Sequence, residues 1–355
     1  MITLVLLGLL LLPFVIVGGS LALFWKSRRR AILRWSGILY ITAVPVTLFG
    51  IGPYLLAWTL VHAGTRSFDN GLKDTPATYG VQYEDVVFDA RDGVKLSGWF
   101  IPPTGKSAIV IATHGLFRNR VEVLARMIPL ARAGYGALLY DSRSHGISAK
   151  SPISLGYHEK NDVIGAMQFV QRRYQDSVEQ PRIILMGVSM GAVATLEAAA
   201  ETRSYSALIL DSPFSTLREA IVDHSWLLLK APRYPFPGLF AFWLQRLAGF
   251  DIDRVDSHRA LARADPVPLL IISSAGDRRI AAGVASSLYH EAKSTMKKLE
   301  LFGQDVTHGA AARMYPEAYS ALMLNFLSDA LTDSGVAGDD FQGIKAPSAA
   351  KGSPR

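Results

Sequence analysis

Hydrophobic side chains form two long uninterrupted runs at the start of the chain. Residues 1–25 and 35–65 contain no Asp, Glu, Lys or Arg, and each run exceeds the ~20 apolar residues that cross a bilayer. The pattern predicts a transmembrane helical hairpin in residues 1–65. A cleaved signal peptide is the competing interpretation of the first run, but its basic residues follow the apolar stretch instead of preceding it.

After residue 80 the pattern changes to short apolar runs that alternate with longer amphipathic stretches. Residues 66–80 are polar and rich in helix breakers, which indicates a linker. The predicted strands are Tyr83–Ala90, Val94–Ile101, Ala108–Thr113, Gly136–Tyr140, Ile183–Met186, Ala207–Leu210, Pro268–Ser273 and Lys298–Phe302. The predicted helices are Val121–Ala133, Lys160–Arg173, an alanine-rich stretch ending near Glu201, Ala281–Ala292 and Tyr315–Leu331. This alternation predicts an α/β domain over residues 81–332, with a mostly parallel sheet and helices on both faces.

Two stretches fall outside the alternation. Residues 213–257 lack the hydrophobic pattern of β-strands and are rich in aromatic side chains. They are predicted to be an insertion that caps a site, although ordinary helical packing explains part of them. Residues 333–355 lose all periodicity, which predicts a disordered tail.

Charge and composition narrow the possible functions. The net charge is +7, and five positive charges lie between the two apolar runs, on Lys26, Arg28, Arg29, Arg30 and Arg34. The rest of the chain therefore carries only +2, which argues against a nucleic-acid partner. A basic loop between membrane helices tends to be cytoplasmic, so the domain after Arg66 is expected on the extracytoplasmic side of the cell membrane. The chain has no cysteine, which excludes disulfides and thiol catalysis.

The segment Gly187-Val188-Ser189-Met190-Gly191 fits the G-x-S-x-G pattern between a predicted strand and a predicted helix. A strand that turns directly into a helix projects its central side chain in a strained conformation. Gly187 and Gly191 avoid collisions with the neighbouring elements. We therefore predict that Ser189 is a nucleophile.

A serine nucleophile needs a base, and the base needs an acid to orient it. His308 follows the last predicted strand in a loop and is the predicted base, whereas His290 lies inside a helix. Asp277, after the strand Pro268–Ser273, is the predicted acid, because the chain order is then Ser, Asp, His. Asp211 is the rival acid, and Asp305 lies close to His308 in the same loop.

The oxyanion hole needs two backbone N–H donors aimed at the developing charge. Met190, directly after the nucleophile, is predicted to supply one. Leu116, in the loop Thr113-His114-Gly115-Leu116-Phe117, is predicted to supply the other. His114 is expected to be structural, with its ring bonded to neighbouring backbone. No metal or organic cofactor is expected.

Across residues 80–332 the chain resembles the alpha/beta-hydrolase superfamily, and within it membrane-anchored serine hydrolases near the dienelactone-hydrolase and prolyl-oligopeptidase-like branch. Beyond the triad, the resemblance rests on the segments Asp92-Gly93, His114-Gly115 with Asn119, Asp141–Ser148, and Gly156, Glu159 and Asp162. It implies a structural loop at Asp141–Ser148, in which Asp141 and Arg143 hold the sheet edge. The chain departs from many relatives at Ser273-Ser274, where they have His-Gly, and this removes no catalytic group.

These patterns lead to an expected function. A membrane-anchored serine hydrolase would cleave an ester or thioester through an acyl-enzyme. The aromatic insertion and the apolar N-terminus favour a lipid-like acyl substrate. A serine peptidase and an acyltransferase would use the same triad. An inactive hydrolase-like binding module is the alternative from another class. The sequence does not settle the oligomeric state.

Overall fold

The structure is a computed structural model that describes residues 38, 41–43 and 45–332. Its strands, in chain order β1 to β8, are Glu84–Asp89, Lys95–Ile101, Ala108–Thr113, Gly136–Tyr140, Arg182–Val188, Ala207–Asp211, Leu269–Ser274 and Lys297–Phe302. They form one sheet in the order β1-β2-β4-β3-β5-β6-β7-β8. β2 is antiparallel to β1 and to β4, and the remaining neighbours are parallel.

The helices, in chain order α1 to α11, are Gly52–Val61, Ser67–Gly71, Val121–Arg132, Glu159–Arg173, Met190–Ala199, Leu217–Leu229, Phe236–Ala248, Ser257–Arg263, Ala282–Glu291, Ala311–Met314 and Pro316–Thr332. Helices α4, α5, α8 and α9 contribute to the hydrophobic core on one face of the sheet. Helices α3 and α11 contribute to the core on the other face. The central strands β3 to β7 are thus covered on both sides and consist almost entirely of buried residues, as expected for parallel strands.

The structure confirms the predicted alternation, and each predicted strand and helix of the α/β domain is present within a few residues of its expected bounds. The parallel strands end at one edge of the sheet, where Asp211 is the last residue of β6 and Asp277 lies in the loop after β7. The loops after β3 and β8 reach the same edge. Helix α8 was not predicted. It begins after Asp256, whose carboxylate accepts the backbone N–H groups of His258 and Arg259.

The segment predicted to be a linker carries regular structure. Residues Ser67–Gly71 form α2, and Pro76–Tyr79 form a 3₁₀ turn. Asp69 is only 2% exposed and is paired with Arg66 and with Arg118. Arg118 is distant in sequence, and Arg66 stands in a stretch rich in helix breakers. Local composition therefore did not predict the packing of Asp69.

The described chain divides into two compact units. One unit contains the described residues up to Ala63 together with Arg218–Ile252, and the other contains Gly64–Leu217 and the residues from Asp253 onward. The first unit therefore combines α1 with most of the predicted insertion. Within it α1 packs on α7, with Tyr54 against the edge of Trp243 at 5.0 Å between ring centroids.

Among the described residues, no helix has both the length and the apolar character needed to span a bilayer. A π-helical stretch, Val46–Ile51, precedes α1. The predicted first transmembrane segment, the basic loop and the predicted disordered tail lie outside the described residues.

Candidate active site

Ser189 lies between β5 and α5, at the tight turn predicted from its neighbours. Its backbone adopts φ 55° and ψ −118°, a strained conformation for a residue with a side chain. A Cβ at Gly187 would collide with the carbonyl oxygen of Gly191, and a Cβ at Gly191 with that of Thr113. The backbone N–H of Ser189 donates to the carbonyl oxygen of Asp211 at 2.8 Å, which fixes the turn against the end of β6.

The structure brings Ser189, His308 and Asp277 together. The Ser189 hydroxyl oxygen lies 2.8 Å from Nε2 of His308, and Nδ1 of His308 lies 2.6 Å from Oδ2 of Asp277. A carboxylate can only accept, so Nδ1 of His308 carries the proton. Nε2 is then free to accept the hydroxyl hydrogen of Ser189.

Several groups keep Asp277 ionised. Burial alone would raise its pKa, but the hydrogen bond and charge of His308 and two backbone N–H groups lower the pKa below its usual value. Those N–H groups belong to Arg279 and Ile280, and they donate to Oδ1 at 2.8 and 3.1 Å. One carboxylate oxygen is thus held by the loop after β7, which leaves the other for His308.

The alternative acids and base occupy other positions. The carboxylate of Asp211 accepts from Arg126 at 3.1 Å and from the Tyr319 hydroxyl at 2.9 Å. Asp305 accepts from the Tyr315 hydroxyl. His290 lies in α9, as expected. Of the three aspartates considered, Asp277 is the one bonded to His308.

The loop after β3, residues 114–117, carries Leu116, the predicted second oxyanion donor, and is called the oxyanion loop below. The N–H of Gly115 donates to Glu122 at 2.7 Å, and the N–H of Phe117 donates to Nε2 of His145 at 3.1 Å. Phe117 has a positive φ of 63°. Within the described chain, no protein acceptor is recorded for the N–H of Leu116 or of Met190. Both groups are therefore available to a ligand.

Two buried histidines, His114 and His145, form hydrogen bonds with the backbone of this loop. Nε2 of His114 accepts the N–H of Ser142 at 3.0 Å, so its Nδ1 carries the proton and donates to the Gly115 carbonyl at 2.8 Å. His145 has the same tautomer, because it accepts from Phe117 and donates to the Arg143 carbonyl at 2.8 Å. Burial lowers the pKa of His114, and it lowers the pKa of His145 to about 4. Both rings are neutral structural groups at neutral pH, as predicted for His114.

The loop Asp141–Ser148 has the structural contacts that the resemblance implied. Arg143 is buried and binds Asp162 through Nε and Nη2, and Asp92 through both terminal nitrogens. Asp141 accepts the N–H of Arg120 at 2.8 Å and that of Ile147 at 3.1 Å. The two side chains tie this loop to the turn between β1 and β2, to α4 and to the start of α3.

Sequence reasoning missed Arg126, which joins three elements around Ser189 and His308. Its guanidinium donates to Asp211 at 3.1 Å, to the carbonyl of Gly309 at 2.9 Å and to the carbonyl of Glu122 at 2.9 Å. It also donates to the Tyr319 hydroxyl at 3.2 Å. The end of β6, the loop that carries His308 and the first turn of α3 thus share one cation. A signal was present in α3, because Arg126 shares the face of apolar Val123, Met127 and Leu130.

In the part of the chain that the structure describes, no group of three or more His, Asp or Glu side chains is placed to hold a metal ion. The site therefore consists of a serine hydroxyl, an imidazole within hydrogen-bond distance of it, an ionised carboxylate, and two N–H groups without an acceptor in the described chain. Such a set can perform nucleophilic acyl transfer.

Known sequences agree with this architecture. A family model described as serine aminopeptidase, S33, matches residues 104–239. The uncharacterized protein YfhR of Salmonella typhi is 26% identical over 322 residues, which cover 85% of this chain and 97% of YfhR. This likeness reaches well beyond the stretch that the family model matches.

Solved structures share the fold. The esterase Pf2001 of Pyrococcus furiosus superposes with a TM-score of 0.60 at 24% identity, and covers 72% of this chain and 94% of its own. Est1E of Butyrivibrio proteoclasticus, with ferulic acid bound, gives a TM-score of 0.52 at 18% identity and covers 68% of this chain and 100% of its own. The strand order and these superpositions show that the chain has the alpha/beta-hydrolase fold.

Proposed function

We propose that this protein is a serine hydrolase that cleaves carboxylic ester or thioester bonds through an acyl-enzyme. The hydrogen-bonded chain from Ser189 through His308 to Asp277 carries the proposal, because its distances and tautomer suit proton transfer from the hydroxyl. The strained backbone of Ser189 supports the same assignment, since it projects the hydroxyl from the sheet edge.

The reaction proceeds in two halves. Ser189 Oγ bonds to the acyl carbon while its proton passes to Nε2 of His308, and the resulting imidazolium is stabilised by Asp277. The leaving oxygen or sulfur takes that proton as its bond to the acyl carbon breaks. Water then repeats the sequence: His308 takes its proton, the hydroxide bonds to the acyl carbon, and the proton returns to Ser189 as the ester opens.

The N–H groups of Leu116 and Met190 stabilise the oxyanion in both halves. Preorganised donors matter most when charge develops on the substrate oxygen, because they need no reorganisation at that moment. The bonds from Gly115 to Glu122 and from Phe117 to His145 hold the neighbouring N–H groups elsewhere. Of these consecutive N–H groups, that of Leu116 is the one without an acceptor in the described chain.

Ester cleavage is favoured over two other acyl-transfer reactions. Pf2001 and Est1E, which share the fold, are an esterase and a protein that binds ferulic acid. The family match carries a peptidase description, which makes amide hydrolysis the second candidate. An acyltransferase would differ only in the acceptor that replaces water.

The purified full chain tests this proposal. We expect covalent labelling by a fluorophosphonate, and faster turnover of p-nitrophenyl acyl esters than of aminoacyl p-nitroanilides. A preference for anilides would favour the peptidase. Ester consumption that yields a transferred product in the presence of an alcohol would favour the acyltransferase. A folded protein that neither reacts with the probe nor cleaves any substrate would leave the binding module as the remaining alternative.

We further propose that residues 1–65 anchor the protein in the cell membrane and that its substrates are lipid-like. The unit formed by α1 and residues 218–252 exposes large apolar side chains, including Trp226, Leu228 and Tyr234, at 57%, 62% and 86%. Residues 224–250 carry Lys230, Arg233 and Arg246 but no acidic residue. Exposed aromatic groups next to cations favour the interface of an anionic bilayer.

Because the chain lacks cysteine, single labels can test the membrane contact. The full chain is reconstituted in anionic vesicles with a polarity-sensitive fluorophore on Leu228→Cys or on Val178→Cys, a fully exposed position in the other unit. We expect lipid-borne quenchers to dim the label at 228 and to spare the label at 178. Equal behaviour of the two labels would contradict the contact. On intact cells, a membrane-impermeant maleimide should label position 178 if the domain is extracytoplasmic.

A further inference from the structure

We propose that Asp69 is a positioning residue for the oxyanion loop, and that the catalytic unit therefore begins at about Gly64, before the hydrolase sheet. This inference rests on the proposed function. The segment 64–71 lies outside residues 104–239, which match the family model, and local composition marks it as a linker. Its contacts show a different role.

Asp69 is the centre of these contacts. Its side chain is 3% exposed and accepts from Nη1 of Arg118 at 2.8 Å and from Nε of Arg66 at 2.7 Å. Its backbone carbonyl accepts from the side chain of Asn119 at 3.1 Å. Buried carboxylates need such partners, because an unpaired buried charge is costly. The partners Arg118 and Asn119 follow directly after the loop that carries Leu116.

A continuous relay leads from Asp69 to the proposed oxyanion hole. Arg118, held by Asp69, donates through Nε to Oε1 of Glu122 at 2.7 Å. The other oxygen of Glu122 accepts the N–H of Gly115 at 2.7 Å. Burial alone would raise the pKa of Glu122, but Arg126 and Arg118 lower it, so the acceptor stays ionised. The position of Gly115 sets the direction of the next peptide N–H, that of Leu116.

The backbone of the same segment holds the loop from a second side. The N–H of Arg66 donates to the carbonyl of Phe117 at 2.9 Å. The Thr65 hydroxyl donates to the carbonyl of Arg118 at 2.7 Å and accepts the N–H of Gly146 at 2.7 Å. One hydroxyl therefore joins the oxyanion loop to the loop Asp141–Ser148.

Asp69→Ala should impair the transition state more than the bound substrate. We expect kcat for an acyl ester to fall about 10-fold with KM changed less than about twofold, since a misdirected oxyanion donor acts when charge develops. Affinity for a trifluoromethyl ketone, which forms an oxyanion on Ser189, should fall by a similar factor. The protein should remain folded, because Arg66 and Arg118 are partly exposed and can turn to solvent.

Matched variants separate positioning from general damage. Asp74→Ala removes a partly exposed carboxylate just after this segment, one that accepts from the Tyr79 hydroxyl at 3.3 Å, and should leave kcat unchanged. Thr65→Val should lower kcat in the same direction as Asp69→Ala. The double variant Asp69→Asn/Arg118→Gln should lose less than the product of the single losses, because both members belong to one relay.

The outcomes distinguish this inference from the proposed function. If the wild type hydrolyses esters and Asp69→Ala matches it in kcat and in inhibitor affinity, the relay is wrong while the hydrolase assignment stands. If kcat, KM and the thermal midpoint of Asp69→Ala all deteriorate together, Asp69 is a folding residue and the inference is overturned. A wild type without hydrolase activity would instead refute the proposed function.

Discussion

Replacing Ser189 with alanine should reduce kcat for acyl esters by about 10⁶-fold, close to the loss seen when a serine hydrolase lacks its nucleophile. The residual rate would come from substrate binding and the oxyanion donors alone. His308→Ala should lose a similar factor, because the two residues act as one unit. Ester hydrolysis, fluorophosphonate labelling and the thermal midpoint of each variant check the prediction. Both variants should stay folded, since Ser189 and His308 are only partly buried.

A second serine provides a matched control for this experiment. The Ser215 hydroxyl lies 3.0 Å from Nε2 of His258, and Nδ1 of His258 lies 2.7 Å from Glu291. The hydrogen bonds run from serine to histidine to carboxylate, as they do from Ser189 to Asp277, but Ser215 is not at a strained strand-to-helix turn. Ser215→Ala should therefore retain activity and labelling. Activity that survives in Ser189→Ala and disappears in Ser215→Ala would contradict the assigned nucleophile.

Replacing Arg126 with methionine should destabilise the protein by about 3–5 kcal/mol, because Asp211 would become a buried charge without its cation. Arg126 and Asp211 have side chains only 4% and 1% exposed, so water cannot easily replace the lost partner. The free energy of unfolding in urea measures the loss. Any folded fraction should also be a weaker catalyst, since this guanidinium holds the end of β6 and the loop that carries His308.

Removing the charge of Asp211 as well should separate the cost of an unpaired charge from the cost of lost packing. In Arg126→Met/Asp211→Asn the buried carboxylate is gone, and Tyr319 can still bond to the remaining amide. We expect this double variant to recover part of the stability lost in Arg126→Met. Stability that is unaffected by Arg126→Met would contradict the role of the guanidinium as the required partner of Asp211.

The sequence predicted that Ser189, Asp277 and His308 would lie together, because local geometry and chain order indicate it. Gly187 and Gly191 flank Ser189 within a strand-to-helix pattern, and Asp277 and His308 each follow a predicted strand, so their meeting at one sheet edge follows from the topology. The choice between Asp277 and Asp211 rested on order alone. The structure gives the physical reason, since Arg126 and Tyr319 occupy the carboxylate of Asp211.

The supports of the site were harder to predict because their partners are remote in sequence. Arg126 bonds to Gly309 and Tyr319, which lie 183 and 193 residues away. Asp69 meets Arg118 across 49 residues, and its own surroundings have the composition of a linker. Periodicity identifies an element and its buried face, but it does not identify which charged side chain finds a partner on another element.

The two ends of the insertion between β6 and β7 are hydrogen-bonded to each other, which affects how this protein can change over evolution. The segments that enter and leave it are joined by backbone hydrogen bonds: the N–H of Leu217 donates to the carbonyl of Val255 at 3.0 Å, and that of Ser257 to the carbonyl of Ser215 at 2.8 Å, with an isolated bridge between Thr216 and Asp256. The joint already closes the loop, so the residues beyond it can lengthen, shorten or be exchanged at little entropic cost to the sheet. In a protein built this way, evolution can replace the insertion, and with it the substrate specificity, while the sheet and the residues Ser189, Asp277 and His308 stay unchanged.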